Sequence, residues 1–454
     1  MLLQFLLASA ACLTSPLQGS AAEGWLARAA QLSASHDYLP AEALLQRAVA
    51  NLSSAGASLP LADALEALAD AQGVLRRHAA AAESRARALS ARLTLGGGSL
   101  SATELIMAYA LAAKDLKGAR AYGAALGSLA RARAAGQRAG GVGPAVEASL
   151  LAMESELRDC TGEAGAALAA AEQAASLRGA PPSPEEQLHH LDLLRKALRA
   201  EDPEPPPAIA AALARRARAL EAALLARGPW QHPQQLPRTH LPGLYGAPWH
   251  EHTGAGARWP ALTAPAAAQL ARAAPALRAE FTALQRAQRL LEETECVHTG
   301  GGGTWRWAAT NGFWQERDAA GCAVDMPAAC ALVAALQATI PGLRVLRAGY
   351  SAIEGPTHLR PHCGWSNAQL KMHLGLRVPR RPDGSGEGCA MLRVGNETRA
   401  WARDSVLMFD DSWEHEVVHA CAAQRVVFQL VFAHPDLAQG QGGAGLGAAQ
   451  EAQV

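Results

Sequence analysis

Lysine is nearly missing from this chain: of 41 basic residues four are lysine, Lys114, Lys117, Lys196 and Lys371, and the rest are arginine. Acidic residues also number 41, so the formal net charge is zero. That balance removes any bulk electrostatic case for nucleic acid or an anionic membrane surface as partner. No CxxC pair is present, which excludes a structural zinc site of that spacing. Long apolar runs are missing too: after the first residues nothing approaches the ~18 apolar positions expected of a membrane helix.

What is there begins with length. A chain of 454 residues is too long for one hydrophobic core, and with half of its residues apolar it reads as two or three globular domains. Residues 1–13 form a short apolar run, and small residues ending in Ser20-Ala21-Ala22 follow it. The pattern reads as a signal peptide over 1–22, cleaved on entry to the secretory pathway; a buried first helix is the other reading. With a signal, the mature protein sits in the endoplasmic reticulum or Golgi lumen or is secreted, with no transmembrane segment left. Seven cysteines remain after Cys12, an odd number that leaves at least one unpaired in a monomer. Cys322 and Cys330 are the expected local disulfide, closing a short loop over Pro327.

Over residues 23–202 strand-forming residues are sparse, and Ala, Leu, Arg and Glu recur at helical spacing. The segments 65–75 and 105–115 can be laid on each other, and a weaker copy ends at residues 160–168. Their offset of about 40 residues compares with ~34 for a tetratricopeptide repeat. Helical hairpins in a repeat-like array are expected, with a plain helical bundle as the alternative. Such an array offers a concave surface for a polypeptide partner.

The run Pro203-Glu204-Pro205-Pro206-Pro207 opens a proline-rich linker and connecting helix over 203–229. Residues 230–249, rich in Pro, His, Trp and Gln, read as an irregular arm. One or two amphipathic helices follow over 264–293, with Leu270, Leu277, Phe281 and Leu284 on one face. Past Gly300 to Gly303 the composition becomes strand-like, and residues 305–314 fit a hairpin. A helix is expected over 328–340, then strands at 343–351, 369–378, 390–394, 405–409 and 426–432, the spacing of a sandwich or jelly roll. Residues 439–454 read as a flexible tail. The fold class is therefore α + β and multidomain: an N-terminal α-helical repeat domain, tetratricopeptide-like, and a jelly-roll domain, a double-stranded β-helix, over 230–438.

Chemistry concentrates in residues 351–425. His362 follows Pro361 and precedes Cys363-Gly364; His415 follows the turn-forming Asp410-Asp411-Ser412. Two histidines at separate strand ends suit a metal site, and imidazole suits iron(II), copper or zinc. The two-histidine, one-carboxylate face of iron oxygenases normally carries its carboxylate two residues after the first histidine. Here that position is Gly364. The residues alone leave open a water-completed site or an acidic ligand from Asp410, Asp411 or Glu416.

The segments 356–364, 372–376, 395–398, 409–417 and 434–437 together resemble the aspartyl/asparaginyl β-hydroxylase family in order and spacing, over about 230–437. The resemblance implies an iron(II)- and 2-oxoglutarate-dependent dioxygenase, using O2, on a double-stranded β-helix. It implies His362 and His415 as metal ligands with no protein carboxylate, so that Gly364 conforms to the family. For 2-oxoglutarate it implies Ser351, Lys371, His373 and Arg425, with Trp307 matching less well because its spacing to Trp314 differs by one residue. Lys371 stands where the family has arginine. Cys322 and Cys330 also fall near a family disulfide. The implied acceptor is the β-carbon of an aspartyl or asparaginyl residue in a protein or peptide. A lipid acyl chain as acceptor, or a catalytically weak helical scaffold, remains open because the resemblance resides in the iron and cosubstrate residues.

Overall fold

The computed structural model describes residues 21–54, 56–95, 100–199, 205–292, 298–299, 304–309, 326–381 and 388–438. Residues 1–20 of the expected signal segment, Cys322, Trp314 and the tail lie outside these residues. The described residues separate into two compact units, 1–180 and 181–454.

Among the described residues of the first unit eight helices follow one another: α1 Ala21–Ala34, α2 Tyr38–Ser53, α3 Leu59–Val74, α4 His78–Leu95, α5 Ala102–Gly118, α6 Tyr122–Arg138, α7 Pro144–Cys160 and α8 Ala164–Arg178. They pack as the hairpins α1·α2, α3·α4, α5·α6 and α7·α8, and each hairpin leans on the next. The same turn joins the two helices of every pair. Its central residue is left-handed at His36, Arg76, Arg120 and Gly162, about 40 residues apart each time. The amide after it bonds the carbonyl five residues back, as Asp37 to Leu32 at 2.8 Å and Arg77 to Gln72 at 2.8 Å. This recurring Schellman-type cap is the structural form of the repeat read from the sequence. Alanines at full burial, among them Ala41, Ala62, Ala81 and Ala125, let neighbouring backbones approach.

The second unit opens with α9 Pro184–Leu198 and α10 Pro207–Arg227, which pack on each other. Residues 205–207 of the proline run thus fall inside this unit, and the boundary falls earlier than composition suggests. Arg195 of α9 explains the anchoring: it donates to Glu221 of α10 at 2.6 Å and to the Pro233 carbonyl at 2.9 Å. The remaining elements are β1 Trp249–His250, α11 Pro260–Arg286, β2 Leu291–Glu292, β3 His298–Thr299, β4 Trp305–Ala309, α12 Pro327–Thr339, β5 Val345–Ile353, β6 Thr357–His362, β7 Gln369–Arg377, β8 Ala390–Val394, β9 Glu397–Ala400, β10 Val406–Phe409, β11 His415–His419 and β12 Arg425–Ala433. Two antiparallel sheets result, ordered β1-β10-β7-β12-β5-β4-β2 and β3-β6-β11-β8-β9. Their order is that of a jelly roll.

Two cores hold these sheets. Leu270, Leu277 and Phe281 of α11 and Val333 and Leu336 of α12 cover the outer face of the larger sheet, against Tyr350, Leu374, Phe428 and Phe432. The second core lies between the sheets and includes Ile353, Leu359, Val394, Phe409, Val417 and Val427. One buried carboxylate ties the helical layer together. Glu280 of α11 accepts from the Ala328 and Ala329 amides at the start of α12, at 2.5 and 3.2 Å, and from the Tyr350 hydroxyl at 2.6 Å. These are charge-assisted bonds at a helix N-terminus, so Glu280→Ala should cost roughly 2–4 kcal/mol in urea unfolding, and Glu280→Gln less. A loss below about 1 kcal/mol would show that the cap matters little.

A disulfide joins Cys389, before β8, to Cys421, after β11, with Cα atoms 5.5 Å apart. Cys160 and Cys330 each take part in a disulfide as well, though not with one another. Among the described residues Cys363 is a free thiol.

Candidate active site

Strand alternation decides which side chains enter the space between the sheets. Leu370, Met372 and Leu374 of β7, Tyr350 and Ala352 of β5, and Val426 and Phe428 of β12 all pack toward α11 and α12. Their sequence neighbours Lys371, His373, Ser351 and Arg425 therefore point inward. Every residue expected to bind the cosubstrate through these three strands shares the inner face of one sheet.

The two histidines come from the opposite sheet. His415 lies directly across from His362 in the β11–β6 pairing, yet Val417 lies across from Leu359. Between those pairs one residue on β11, Glu416, thus opposes two on β6, a bulge at Arg360-Pro361. Without it His362 would alternate to the outer face; with it His362 joins Leu359, Val417 and His415 on the inner one. Proline suits that position because a bulge leaves one amide out of the ladder.

The rings of His362 and His415 sit 4.3 Å apart, centroid to centroid. Nδ1 of His362 is 2.7 Å from the Arg360 carbonyl, and Nδ1 of His415 is 2.9 Å from the Trp413 carbonyl. A carbonyl accepts only, so each Nδ1 carries the ring proton and each Nε2 the lone pair, the tautomer a metal requires. Burial, followed by the proximity of His362 and Lys371, pulls His415 down to about 3. It is neutral at any ordinary pH. Cys363 is no competing donor, since burial raises its thiol to about 12.

Among the described residues no group of three or more His, Cys, Asp or Glu side chains could hold a metal ion. The missing third donor has a local cause. Gly364 donates its amide to the Asp411 carbonyl at 2.6 Å. A Cβ on Gly364 would meet Asp411 Oδ2 and lie 2.8 Å from that carbonyl oxygen. The backbones approach too closely for any side chain where a triad carboxylate would stand. Neither Asp410 nor Glu416 fills the gap. Asp410 accepts from the Ser412 amide at 2.9 Å within its turn, and burial raises its carboxyl to about 8. Glu416 points outward to His358, at 2.7 Å, and to Arg393. Asp411 is ion-paired: its Oδ2 is 2.7 Å from Lys371 Nζ, and although burial pushes its carboxyl up, the charge and hydrogen bond of Lys371 together with His415 and Arg347 hold it below the usual range.

The inner face of the larger sheet is cationic and under-satisfied. Arg425 is 2% exposed, donates to the Ser351 carbonyl and hydroxyl at 3.2 and 3.4 Å, and makes no hydrogen bond through Nε. Burial brings its guanidinium down to about 9. His373 has both ring nitrogens buried without a hydrogen bond, and its pKa lies well below the usual value through burial and then through Lys371, Arg425 and His415. It is therefore set among the two cations and His415. Trp307 lies across from Ser351 in the β4–β5 pairing, whereas the indole that bonds the Ser351 hydroxyl, at 3.0 Å, is that of Trp305. Unpaired buried donors on this inner face fit a dicarboxylate, and the paired histidines fit a divalent metal beside it.

Residues with no sequence signal brace this site. Glu414 accepts from Arg199 at 3.2 Å and Arg393 at 3.1 Å, and Arg393 also holds Glu416, so both neighbours of His415 are fixed by one guanidinium. The arm read at 230–249 packs here as well: the Gln234 carbonyl accepts from the Glu414 amide at 2.6 Å, and Gln235 donates to the Ser412 hydroxyl at 2.9 Å. At the end of the arm His250 is 6% exposed, and burial with His434 and Arg258 lowers it to about 4. The folded state therefore binds fewer protons than the unfolded chain between pH 4 and 6.5. Stability from this group is complete above pH 6.5 and is lost as pH falls toward 4, by on the order of 3 kcal/mol. Urea unfolding at pH 7.5 and 4.5 should show that loss, reduced in His250→Asn; an equal loss in the variant would assign it elsewhere.

Residues 271–435 match the aspartyl/asparaginyl beta-hydroxylase family. The mouse protein named aspartyl/asparaginyl beta-hydroxylase is 39% identical over 126 residues, 28% of this chain and 16% of that protein. The chain thus matches about a sixth of that relative's length. An ornithine lipid ester-linked acyl 2-hydroxylase of Rhizobium tropici is 31% identical over 176 residues, 38% of this chain and 59% of that protein. Among solved structures, a putative kinesin light chain with TPR-like repeats from Podospora anserina has a TM-score of 0.33 at 13% identity, covering 45% of this chain and 96% of that one.

Proposed function

We propose, from the membership of residues 271–435 in the aspartyl/asparaginyl β-hydroxylase family, that this chain is an iron(II)- and 2-oxoglutarate-dependent dioxygenase acting on aspartyl or asparaginyl β-carbons of polypeptides. The observation that carries the proposal is the register of His362 with His415, with both Nδ1 protons tied to carbonyls, facing the unpaired donors of Arg425 and His373. Iron(II) with 2-oxoglutarate supplies oxygen activation, inserting one oxygen atom into a C–H bond while the keto acid leaves as succinate and carbon dioxide.

The chain's own residues have separable tasks. His362 and His415 donate Nε2 to the metal. Arg425 and Ser351 take one carboxylate of the keto acid, where a planar fork with a free Nε offers two parallel bonds. Lys371 and His373, closer to His415, face its other end. Phe409, in edge contact with His373 at 4.8 Å, and Leu359 and Val417 keep water from the cavity. The helical hairpins of residues 21–178 favour a polypeptide as partner. A secretory lumen is the compartment that the Cys389–Cys421 disulfide fits.

A second reading has its own support: the lipid hydroxylase match covers more of this chain than the mouse match does. Under it the same residues act on an acyl chain. Offering the purified protein an aspartyl peptide library and an acylated lipid separates the two.

Isothermal titration with Mn(II) as redox-silent metal tests the site itself. Native protein should bind 2-oxoglutarate only with metal present, and His362→Ala should not bind it; metal-independent binding of equal strength would contradict the assignment. Lys371→Arg should tighten 2-oxoglutarate by about three- to ten-fold, because a guanidinium can hold Asp411 along one edge and the keto acid along the other. Unchanged or weaker affinity would remove Lys371 from the cosubstrate site.

A further inference from the structure

Trp401 lies in the loop between β9 and β10, outside the strands that carry the expected site residues. Nevertheless it is 3% exposed and packs in the core between the sheets. Its ring lies under the guanidinium of Arg425, whose Cζ is 4.5 Å from the ring centroid. The same indole is nearly parallel to the His373 imidazole, at 15° and 6.1 Å between centroids. Its Nε1 is buried and makes no hydrogen bond, as do Arg425 Nε and both nitrogens of His373. Four unpaired buried polar atoms on three neighbouring side chains are costly to leave unmet unless a ligand takes them.

We propose that Trp401 is a positioning residue of the cosubstrate pocket: by stacking on Arg425 it fixes the plane of the guanidinium that grips the distal carboxylate. The proposal rests on the reading of the site as a 2-oxoglutarate pocket. Arg425 needs such a device because no carboxylate among the described residues pairs with it. Its hydrogen bonds reach the neutral Ser351 carbonyl and hydroxyl, through a single nitrogen, at 3.2 and 3.4 Å. A guanidinium so held could swing about its last bond. The indole face removes that freedom and leaves Nε and the remaining edge available in one plane, the geometry a bidentate carboxylate contact needs. It also stabilises the cation electrostatically at a buried site, where such contacts count most.

The test is a double-mutant cycle read by calorimetry with the full chain and Mn(II). Trp401→Leu should weaken 2-oxoglutarate binding by about ten-fold while Mn(II) affinity stays unchanged, and Trp401→Phe, which keeps a stacking face, should lose about two- to three-fold. In an Arg425→Gln background the Trp401→Leu change should add less than about two-fold, because the group it positions is gone. Full additivity, or native affinity in Trp401→Leu, would overturn the proposal while leaving the cosubstrate reading intact. Parallel loss of Mn(II) and 2-oxoglutarate binding in both Trp401 variants would also overturn it, as a merely structural role. Failure of the native protein to bind 2-oxoglutarate would instead defeat the functional reading, and the proposal with it.

Discussion

His415→Ala is expected to lower 2-oxoglutarate turnover and product hydroxylation by on the order of a thousand-fold or more, because a site with two protein donors keeps only one. The fold should survive. The substitution removes a side chain whose single assigned bond is to the Trp413 carbonyl of its own strand approach, and the pairing of β11 with β6 and β8 is carried by the main chain. His358→Ala is the matched control. It sits on β6 like His362 but on the outer face, paired with Glu416 at 2.7 Å, and its loss should cost less than about ten-fold. Turnover that survives His415→Ala, or falls equally in both variants, would show that the facing histidines are not the metal ligands.

Gly364→Asp, which writes the usual third carboxylate into the chain, is expected to fail. Any Cβ at this position runs into Asp411, whose carbonyl already accepts the Gly364 amide at 2.6 Å. The added carboxylate would also stand beside Asp411, competing for Lys371. Strain of this kind costs roughly 1–3 kcal/mol or more, so melting should drop by several degrees even in Gly364→Ala. Metal affinity should fall rather than rise. An aspartate variant with native melting and tighter Mn(II) binding would contradict the account of why this site has two ligands.

The larger sheet was legible because its long strands are buried on both faces. Val345–Ile353, Gln369–Arg377 and Arg425–Ala433 are apolar enough to stand out, and α12 follows its proline start. The strands that bring His362 and His415 together, Thr357–His362 and His415–His419, were not among the expected strands. Each is short, exposes polar residues on its outer face, and one carries a proline at a bulge that breaks the alternation. The helical repeat could be read from alanine-rich periodicity, but the division at residue 180 could not. The proline run at 203–207 is the louder break in composition, whereas the packing of α9 on α10 and the Arg195 and Arg199 contacts place α9 in the second unit.

Within the site, the sequence pointed to both histidines and four pocket residues, all of which the structure brings to the two inner faces. It could not reveal the Lys371–Asp411 pair, the Arg393 brace or the Trp401 stack, since each joins segments whose juxtaposition depends on the whole jelly roll. Cysteine spacing pointed to a local bridge at Cys322 and Cys330, whereas the pairing of Cys389 with Cys421 spans 32 residues and needs the β8–β11 neighbourhood to be seen.

The central claim is that the His362–His415 pair and the cationic inner face form one oxygenating site. Its most direct measurement is mass spectrometry of aspartyl- and asparaginyl-containing peptides incubated with purified protein, iron(II), ascorbate, 2-oxoglutarate and 18O-labelled dioxygen. A peptide gaining one labelled oxygen on an aspartyl or asparaginyl residue, with succinate formed in equal amount and both lost in His362→Ala, is the predicted result. Labelled product without 2-oxoglutarate, or succinate that persists in His362→Ala, would contradict it.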